Sequence, residues 1–176
     1  MEYNMVVAGF GGQGVLFAGK FLTYVGMLGG RNVSWLPSYG PEMRGGTANC
    51  SVIISDRPVG SPIVLKPDVL IAMNLPSYDK FEPLAAPGAL VLVDTSRITR
   101  EAARGDVTTF MLPAARMAEE NGLNGLANMI LAGMLIGKTG LCTDEEARQA
   151  LIKTIPPRKA ELLEKNMTAI MLGKNA

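Results

Sequence analysis

Histidine is absent from the 176-residue sequence, and only two cysteines occur, Cys50 and Cys142. Without an imidazole the chain cannot build a Ser-His or Cys-His nucleophile pair, a histidine general base or a histidine-ligated metal site. The two cysteines are too few and too far apart for a CxxC redox pair or for the four thiolates of an iron–sulfur cluster. The sequence therefore predicts no catalytic residue, no bound metal and no electron-carrying cluster in this chain.

Long hydrophobic runs and clustered positive charge are also missing. No stretch approaches the roughly 20 uninterrupted apolar residues that span a bilayer, although 48% of the residues are hydrophobic. Residues 1–4 lack the basic and apolar segments of a secretory signal. The net charge of +1 provides no basic patch for nucleic acid. We therefore expect a cytoplasmic protein that binds neither membranes nor nucleic acids.

Short apolar runs alternate with segments of helical periodicity along the chain. Apolar runs typical of strands buried on both faces occur at residues 4–9, 68–73 and 89–94. Composition and alternation predict further strands at residues 32–36, 47–56 and 107–112. Periodicity, caps and breakers predict helices at residues 15–28, 78–84, 124–138, 143–155 and 158–172, with one more after Pro113.

The order of these elements predicts an α/β fold. Strands that alternate with helices favour three layers, with a mostly parallel or mixed central sheet and helices on both faces. Pro37 is expected to end the second strand, and the alternation in residues 47–56 fits a half-buried antiparallel strand. Because no linker or repeat interrupts the pattern, we expect residues 1–176 to form a single domain.

A glycine-rich turn joins the first strand to the first helix, as in a Rossmann-like βα unit. Its residues match the GxGxxG pattern of dinucleotide-binding proteins, but residues 33–37 supply no acid for the ribose hydroxyls, and the first acid after them is Glu42. Three interpretations stay open: close packing or subunit contact, a bound phosphate or other anion, and a whole NAD or FAD. The candidate binding residues are Gly9, Gly11, Gly12, Gln13 and Gly14.

The segment after the second strand is rich in residues that break regular structure. Tyrosine and methionine are costly to leave exposed, and tyrosine with arginine is typical of interface anchors. We therefore expect a contact loop, although a solvated turn or a Glu42–Arg44 ion pair remains the alternative. The candidate partner-facing residues are Ser38, Tyr39, Gly40, Pro41, Glu42, Met43, Arg44, Gly45 and Gly46.

Taken together, residues 9–15 (GFGGQGV) and 37–46 (PSYGPEMRGG) resemble the gamma subunit of 2-oxoacid:ferredoxin (acceptor) oxidoreductases of the pyruvate, ketoisovalerate and 2-oxoglutarate types. The resemblance continues through residues 66–68, 88–94 and 128–137 and covers essentially the whole chain. It implies a complex that decarboxylates a 2-oxoacid on thiamine diphosphate, passes electrons through iron–sulfur clusters to ferredoxin and delivers the acyl group to coenzyme A.

The resemblance also implies a division of labour. Alpha and beta subunits, with or without a delta subunit, would hold the cofactors, while this chain would bind none alone and would support assembly. Gly11–Gly14 and Tyr39–Gly46 would lie together at the carboxyl edge of the sheet, near the path of coenzyme A, with Arg44 as an anion contact. The chain length favours 2-oxoglutarate or branched-chain substrates.

Two other functions stay open at this stage. The chain could be an NAD(P)- or flavin-binding domain of an unrelated oxidoreductase, which GxGxxG favours and the missing acid opposes. It could also be a freestanding small-ligand or regulatory module. The freestanding module predicts a monomer, whereas a gamma subunit could form a homodimer when it is isolated.

Overall fold

The computed structural model describes residues 2–38, 47–100 and 103–176. Six strands of these residues form one sheet in the order β2-β3-β1-β4-β5-β6. β3 runs antiparallel to both of its neighbours, β1 and β2, and the other five strands all run in the same direction. The bounds are β1 (Glu2–Phe10), β2 (Asn32–Ser38), β3 (Thr47–Ser55), β4 (Val69–Ala72), β5 (Leu90–Asp94) and β6 (Thr108–Leu112).

Helices cover both faces of this sheet unequally. Met5 and Val7 of β1 point into a large core, whereas Val6 and Ala8 point into a smaller one on the opposite face. Five helices pack on the larger core, and α2 with the following 3₁₀ helix packs on the smaller one. The bounds are α1 (Val15–Leu28), α2 (Leu75–Phe81), α3 (Ala114–Glu120), α4 (Ala127–Thr139), α5 (Asp144–Thr154) and α6 (Leu163–Lys174), with 3₁₀ helices at Glu82–Leu84 and Pro157–Leu162.

This architecture confirms the predicted three-layer α/β fold with a mixed sheet. The strands predicted from apolar runs are β1, β4 and β5, which are buried on both faces because helices lie above and below them. The strand predicted to pair antiparallel is β3. No helix in the described ranges is both long enough and apolar enough to cross a bilayer.

Several predicted boundaries are wrong by up to five residues, including the start of α4, which is Ala127 and not Asn124, and three others have a local explanation. β2 continues through Pro37 to Ser38 because β2 is an edge strand, where proline is tolerated. The predicted helix at residues 78–84 begins three residues earlier, since the side chain of Asn74 accepts a hydrogen bond from the N–H of Ser77 and caps α2. The predicted last helix begins as a 3₁₀ helix that contains a non-helical Lys159, and regular α-helix starts only at Leu163.

The helix α4 is the most deeply buried helix on the larger face. All nine residues from Asn128 to Ile136 are buried, as its apolar composition predicts. The helix packs directly on α6 through glycines: a Cβ atom at Gly133 would collide with the carbonyl group of Ile170. The two helix backbones therefore touch, which is possible only without side chains at the contact.

Candidate functional site

The glycine turn lies at the carboxyl end of β1. At this strand, successive strands of the chain switch from one side of β1 to the other. From β1 the chain leads through α1 to β2 and β3 on one side, whereas β4 lies on the other side. Open α/β sheets place ligands at such a switch point. Gly12 and Gly14 have φ angles of 91° and 75°, a region that glycine adopts without a steric penalty. The turn is thus built as the sequence predicts.

The side chain of Gln13 crosses the turn and links it by a hydrogen bond to the residue that follows β4. Its Oε1 atom accepts a hydrogen bond from the N–H of Phe10 at 2.6 Å, and its Nε2 atom donates to the carbonyl oxygen of Met73 at 3.0 Å. A Cβ atom at Gly9 would lie only 2.7 Å from the same Oε1. The amide of Gln13 therefore fills the space beside Gly9, and a structural role accounts for part of the glycine pattern.

Replacing Gln13 with alanine is expected to lower the free energy of unfolding by about 1–2 kcal/mol, because two hydrogen bonds of roughly 1 kcal/mol each are lost. Urea denaturation of the purified chain measures this loss. Gln149→Ala is the matched control, since its side chain bonds only to exposed Glu145, and we expect a change within about 0.5 kcal/mol. Equal stability of the two variants would contradict a fastening role for Gln13.

The position of β2 opposes a bound dinucleotide. In the dinucleotide-binding fold an acid at the end of the second strand holds the ribose, but here β3 lies between β1 and β2. The end of β2 is therefore two strand spacings, roughly 10 Å, from β1. The strand itself, Asn32–Ser38, carries no acid.

The predicted contact loop is described only at its two ends. Ser38 is exposed at the end of β2, and the backbone of Thr47 at the start of β3 lies opposite Phe10 of the glycine turn. Both ends are thus at the same edge of the sheet as the turn. Tyr39, Gly40, Pro41, Glu42, Met43, Arg44, Gly45 and Gly46 lie outside the described residues. Their placement beside the turn stays a prediction.

Three side chains that the sequence analysis missed surround the turn. Asn74 follows β4, Asp94 ends β5, and Arg97 lies three residues further on. Each comes directly after an apolar run, at the carboxyl end of a parallel strand, and this placement was the available signal. Asp94 is fully buried; its Oδ1 accepts hydrogen bonds from the N–H groups of Ser96 and Ala115, and its Oδ2 has no partner among the described residues.

Arg97 is an exposed guanidinium with no hydrogen bond or ion pair to any described residue. It lines three cavities, two of which also include residues of the glycine turn. The one of about 220 Å³ contains the acids Asp94 and Glu119. The one of about 440 Å³ contains no acid and is lined by Gly11 and Asn74 among others.

Two side chains with unpaired donors, Asn74 and Arg97, line the acid-free cavity. The side chain of Asn74 is 2% exposed, and its Nδ2 atom has no hydrogen-bond acceptor within the described chain. Its Oδ1 atom is already used at the start of α2, so the unpaired group that remains is an N–H donor. Together with the guanidinium of Arg97, this donor suits an oxyanion.

Neither cysteine is a nucleophile at neutral pH. Burial raises the pKa of the Cys50 thiol to about 12, and burial likewise raises the pKa of Cys142 to about 12. Both side chains are therefore neutral thiols, whereas attack and metal binding require the thiolate. No three His, Cys, Asp or Glu side chains of the described residues come together as a metal site.

Comparisons with known proteins agree with the resemblance noted in residues 9–15 and 37–46. The profile of the pyruvate ferredoxin/flavodoxin oxidoreductase family matches residues 4–176. The ketoisovalerate oxidoreductase subunit VorA of Methanothermobacter thermautotrophicus is 41% identical over 98% of this chain, which spans 36% of the length of VorA. The 2-oxoglutarate synthase subunit KorC of Methanocaldococcus jannaschii is 35% identical over 98% of this chain and 92% of KorC.

A solved structure agrees with these sequence relationships. The gamma subunit of keto/oxoacid ferredoxin oxidoreductase from Geobacter sulfurreducens PCA superposes with a TM-score of 0.83 at 27% identity. The superposition covers 98% of this chain and 96% of that subunit. The chain therefore belongs to the pyruvate ferredoxin/flavodoxin oxidoreductase family.

Proposed function

We propose that the chain is the gamma subunit of a 2-oxoacid:ferredoxin oxidoreductase, a cytoplasmic complex that oxidatively decarboxylates a 2-oxoacid to its acyl-coenzyme A. The observation that carries this proposal is the match to KorC over nearly the whole of both chains. KorC is named as one subunit of 2-oxoglutarate synthase, and this likeness supports a subunit role. The sequence of VorA, which is much longer, is consistent with the same unit joined to further chain.

The described residues support a role in binding and assembly rather than in chemistry. Thiamine diphosphate would supply the decarboxylation chemistry in the complex, and iron–sulfur clusters would carry the electrons. Cys50 and Cys142 are single, buried or partly buried thiols, so the described residues offer no ligand set for a cluster. These groups would therefore be held by alpha and beta subunits, with or without a delta subunit, and this chain would be inactive alone.

The glycine turn would face a partner subunit and hold one oxyanion. Support comes from the donors that converge on the acid-free cavity, the guanidinium of Arg97 and the unpaired Nδ2 of Asn74. Ser38 and Thr47, which flank the predicted contact loop, lie at the same edge of the sheet. Arg44 would add a second cation there, and a phosphate of coenzyme A is the anion that the proposed reaction requires.

Arg97→Ala and Arg44→Ala are each expected to raise the KM for coenzyme A about 10-fold or to weaken assembly by a similar factor. A hydrogen bond to a charged group contributes roughly 1.5–3 kcal/mol. The melting temperature of the isolated Arg97→Ala chain should not change, because the side chain of Arg97 has no partner among the described residues. Steady-state kinetics of the complex and thermal melting of the chain measure the two quantities.

Arg57→Ala is the control for these variants. Arg57 lies beyond the opposite end of the sheet and pairs with Glu2 at the exposed surface. It should leave the KM for coenzyme A unchanged. A loss of melting temperature in Arg97→Ala with an unchanged KM would contradict the anion site but not the gamma-subunit assignment.

Purification of the tagged chain from its native source tests the assignment. We expect proteins that contain thiamine diphosphate and iron–sulfur clusters to co-purify in fixed stoichiometry, and the complex to oxidise either ketoisovalerate or 2-oxoglutarate. Identity favours a branched-chain substrate, since VorA is 41% identical, and the 35% identity to KorC makes 2-oxoglutarate the second candidate. A chain that purifies alone, as monomer or homodimer, would contradict the proposal.

A further inference from the structure

A further cavity, which Arg97 does not line, lies beside the start of α1. It has a volume of about 320 Å³ and is bounded by the starts of α1 and α4, the 3₁₀ helix before α6, and α6 itself. Its apolar walls come from Phe17, Leu126, Ile155 and Leu162. The volume falls within the range of small-molecule sites, and mostly apolar walls with a few polar groups are typical of them.

Two buried amide oxygens in this cavity have no hydrogen-bond donor. Asn128 and Asn166 line it, each 2% exposed. The Nδ2 atom of Asn128 donates to the carbonyl oxygen of Gly14 at 3.0 Å, and that of Asn166 donates to the carbonyl oxygen of Leu162 at 2.8 Å. The Oδ1 atom of each is left without a partner among the described residues.

A ligand that donates hydrogen bonds would satisfy these oxygens. Because each amide nitrogen is engaged, the orientation of both amides is set and only acceptors remain. A buried acceptor without a donor costs roughly 1–3 kcal/mol. A ligand group with two N–H bonds, such as an exocyclic amine, carries the two donors that these oxygens lack.

The rim of the cavity is positively charged. Arg158 and Lys159 line it, both are exposed, and the side chain of neither has a hydrogen bond or ion pair to another described residue. No acid lines the cavity. Two free cations at the mouth of an apolar cavity suit a phosphate, which arginine and lysine bind through charge-assisted hydrogen bonds.

We propose that this cavity binds a nucleotide whose base carries an exocyclic amino group, with adenine as the type. The base would contact Phe17 and the apolar walls, since aromatic side chains are common platforms for bases. The amino group would donate to Asn128 and Asn166, and the phosphate would contact Arg158 and Lys159. The site requires neither partner subunits nor 2-oxoacid chemistry, and it lies apart from the oxyanion site at Arg97.

Titration calorimetry of the purified chain with 5′-AMP, 5′-IMP, adenosine and inorganic phosphate tests the site. We expect 5′-AMP to bind at least 10-fold more tightly than 5′-IMP, in which a carbonyl oxygen replaces the amino group and would face two acceptors. Adenosine and phosphate should each bind at least 10-fold more weakly than 5′-AMP. Equal affinity for AMP and IMP, AMP affinity no greater than that for phosphate, or no AMP binding at millimolar concentration would overturn the proposal.

Two variants test the contacts to the phosphate and the contacts to the base independently. The exposed double variant Arg158→Ala/Lys159→Ala should weaken AMP binding about 10-fold and remove the preference for AMP over adenosine. Asn166→Leu should remove the preference for AMP over IMP. Its matched control is Asn121→Leu, because exposed Asn121 makes the same bond to the carbonyl four residues earlier, outside the cavity. A double variant that binds AMP as tightly as the unmodified chain would also overturn the proposal.

A free mononucleotide and the nucleotide end of a larger carrier present the same base and phosphate. Comparing 5′-AMP with coenzyme A distinguishes these sources in the same titration. Binding of coenzyme A at least 10-fold tighter than AMP would assign the site to a carrier, and equal binding would assign it to the free nucleotide. Both outcomes retain the nucleotide site, which the IMP comparison tests on its own.

Discussion

Gly173→Ala is expected to lower the free energy of unfolding by about 3 kcal/mol, because it adds an atom where two helix backbones touch. A Cβ atom at Gly173 of α6 would collide with the carbonyl group of Ile130 in α4. The contact is reciprocal, since a Cβ at Gly133 of α4 would meet the backbone of Ile170 in α6. Backbone atoms cannot rotate away as side chains do, so the helices must move apart within the core.

The expected destabilisation by Gly173→Ala is opposite to the stabilisation that helix propensity alone predicts. In an exposed helix, alanine is more favourable than glycine by roughly 1 kcal/mol. Urea denaturation monitored by circular dichroism measures the change. Gly60→Ala is the control, since a Cβ there would have no atom within 4 Å and its φ is not positive. If Gly173→Ala is as stable as Gly60→Ala, α4 and α6 do not pack as closely as described.

Glu82→Ala is expected to cost about 3 kcal/mol, because it leaves several partners of a buried carboxylate without an acceptor. The side chain of Glu82 is 2% exposed; it accepts hydrogen bonds from the Tyr78 hydroxyl at 3.1 Å and the Ala103 N–H at 3.3 Å, and it pairs with Arg100. Burial raises the pKa of the fully buried Tyr78 to about 12. This phenol therefore stays protonated and needs an acceptor.

The exposed partner of Arg100 provides the matched control. Asp79 lies 3.2 Å from the Nε atom of Arg100, and its side chain is 52% exposed. Asp79→Ala removes one carboxylate from the same arginine, yet we expect a loss of only about 0.5 kcal/mol, because water replaces the exposed pair. Thermal and urea unfolding of both variants decide between these values. Similar losses of stability in both variants would mean that the buried carboxylate of Glu82 stabilises the fold no more than the exposed carboxylate of Asp79 does.

Elements defined by local patterns could be predicted from the sequence. The helix α1 has the predicted bounds of residues 15–28, because an apolar stripe lies between the glycine turn and the stop at Gly29. The helix α5 begins at the predicted cap, where Thr143 and Glu146 bond reciprocally. Both signals lie within a few residues, so no tertiary contact is needed to read them.

Strand order could not be predicted, because it depends on pairings between distant residues. The insertion of β3 between β1 and β2 removes the dinucleotide geometry that the GxGxxG pattern suggests, and no local pattern reveals it. For the same reason the bond from Gln13 to Met73, 60 residues away, was not expected. The unpaired amide oxygens of Asn128 and Asn166 were also missed, because the sequence does not show that α4 and α6 lie against each other.

The candidate site was predicted in part. The glycine turn lies where the sequence places it, at the carboxyl edge of β1. Arg97 and Asn74 could have been proposed, because each follows an apolar run in a predicted parallel sheet, but nothing local identifies which polar residue stays unpaired. The contact loop at residues 39–46 remains a prediction.

Reconstitution of 2-oxoacid oxidation tests the central claim most directly. The purified chain, given thiamine diphosphate, coenzyme A, a 2-oxoacid and ferredoxin, should reduce no ferredoxin. The same mixture should become active when the co-expressed alpha and beta subunits, with a delta subunit where one exists, are added, and activity should require this chain. Turnover by this chain unaided, or full activity of the other subunits without it, would contradict the account.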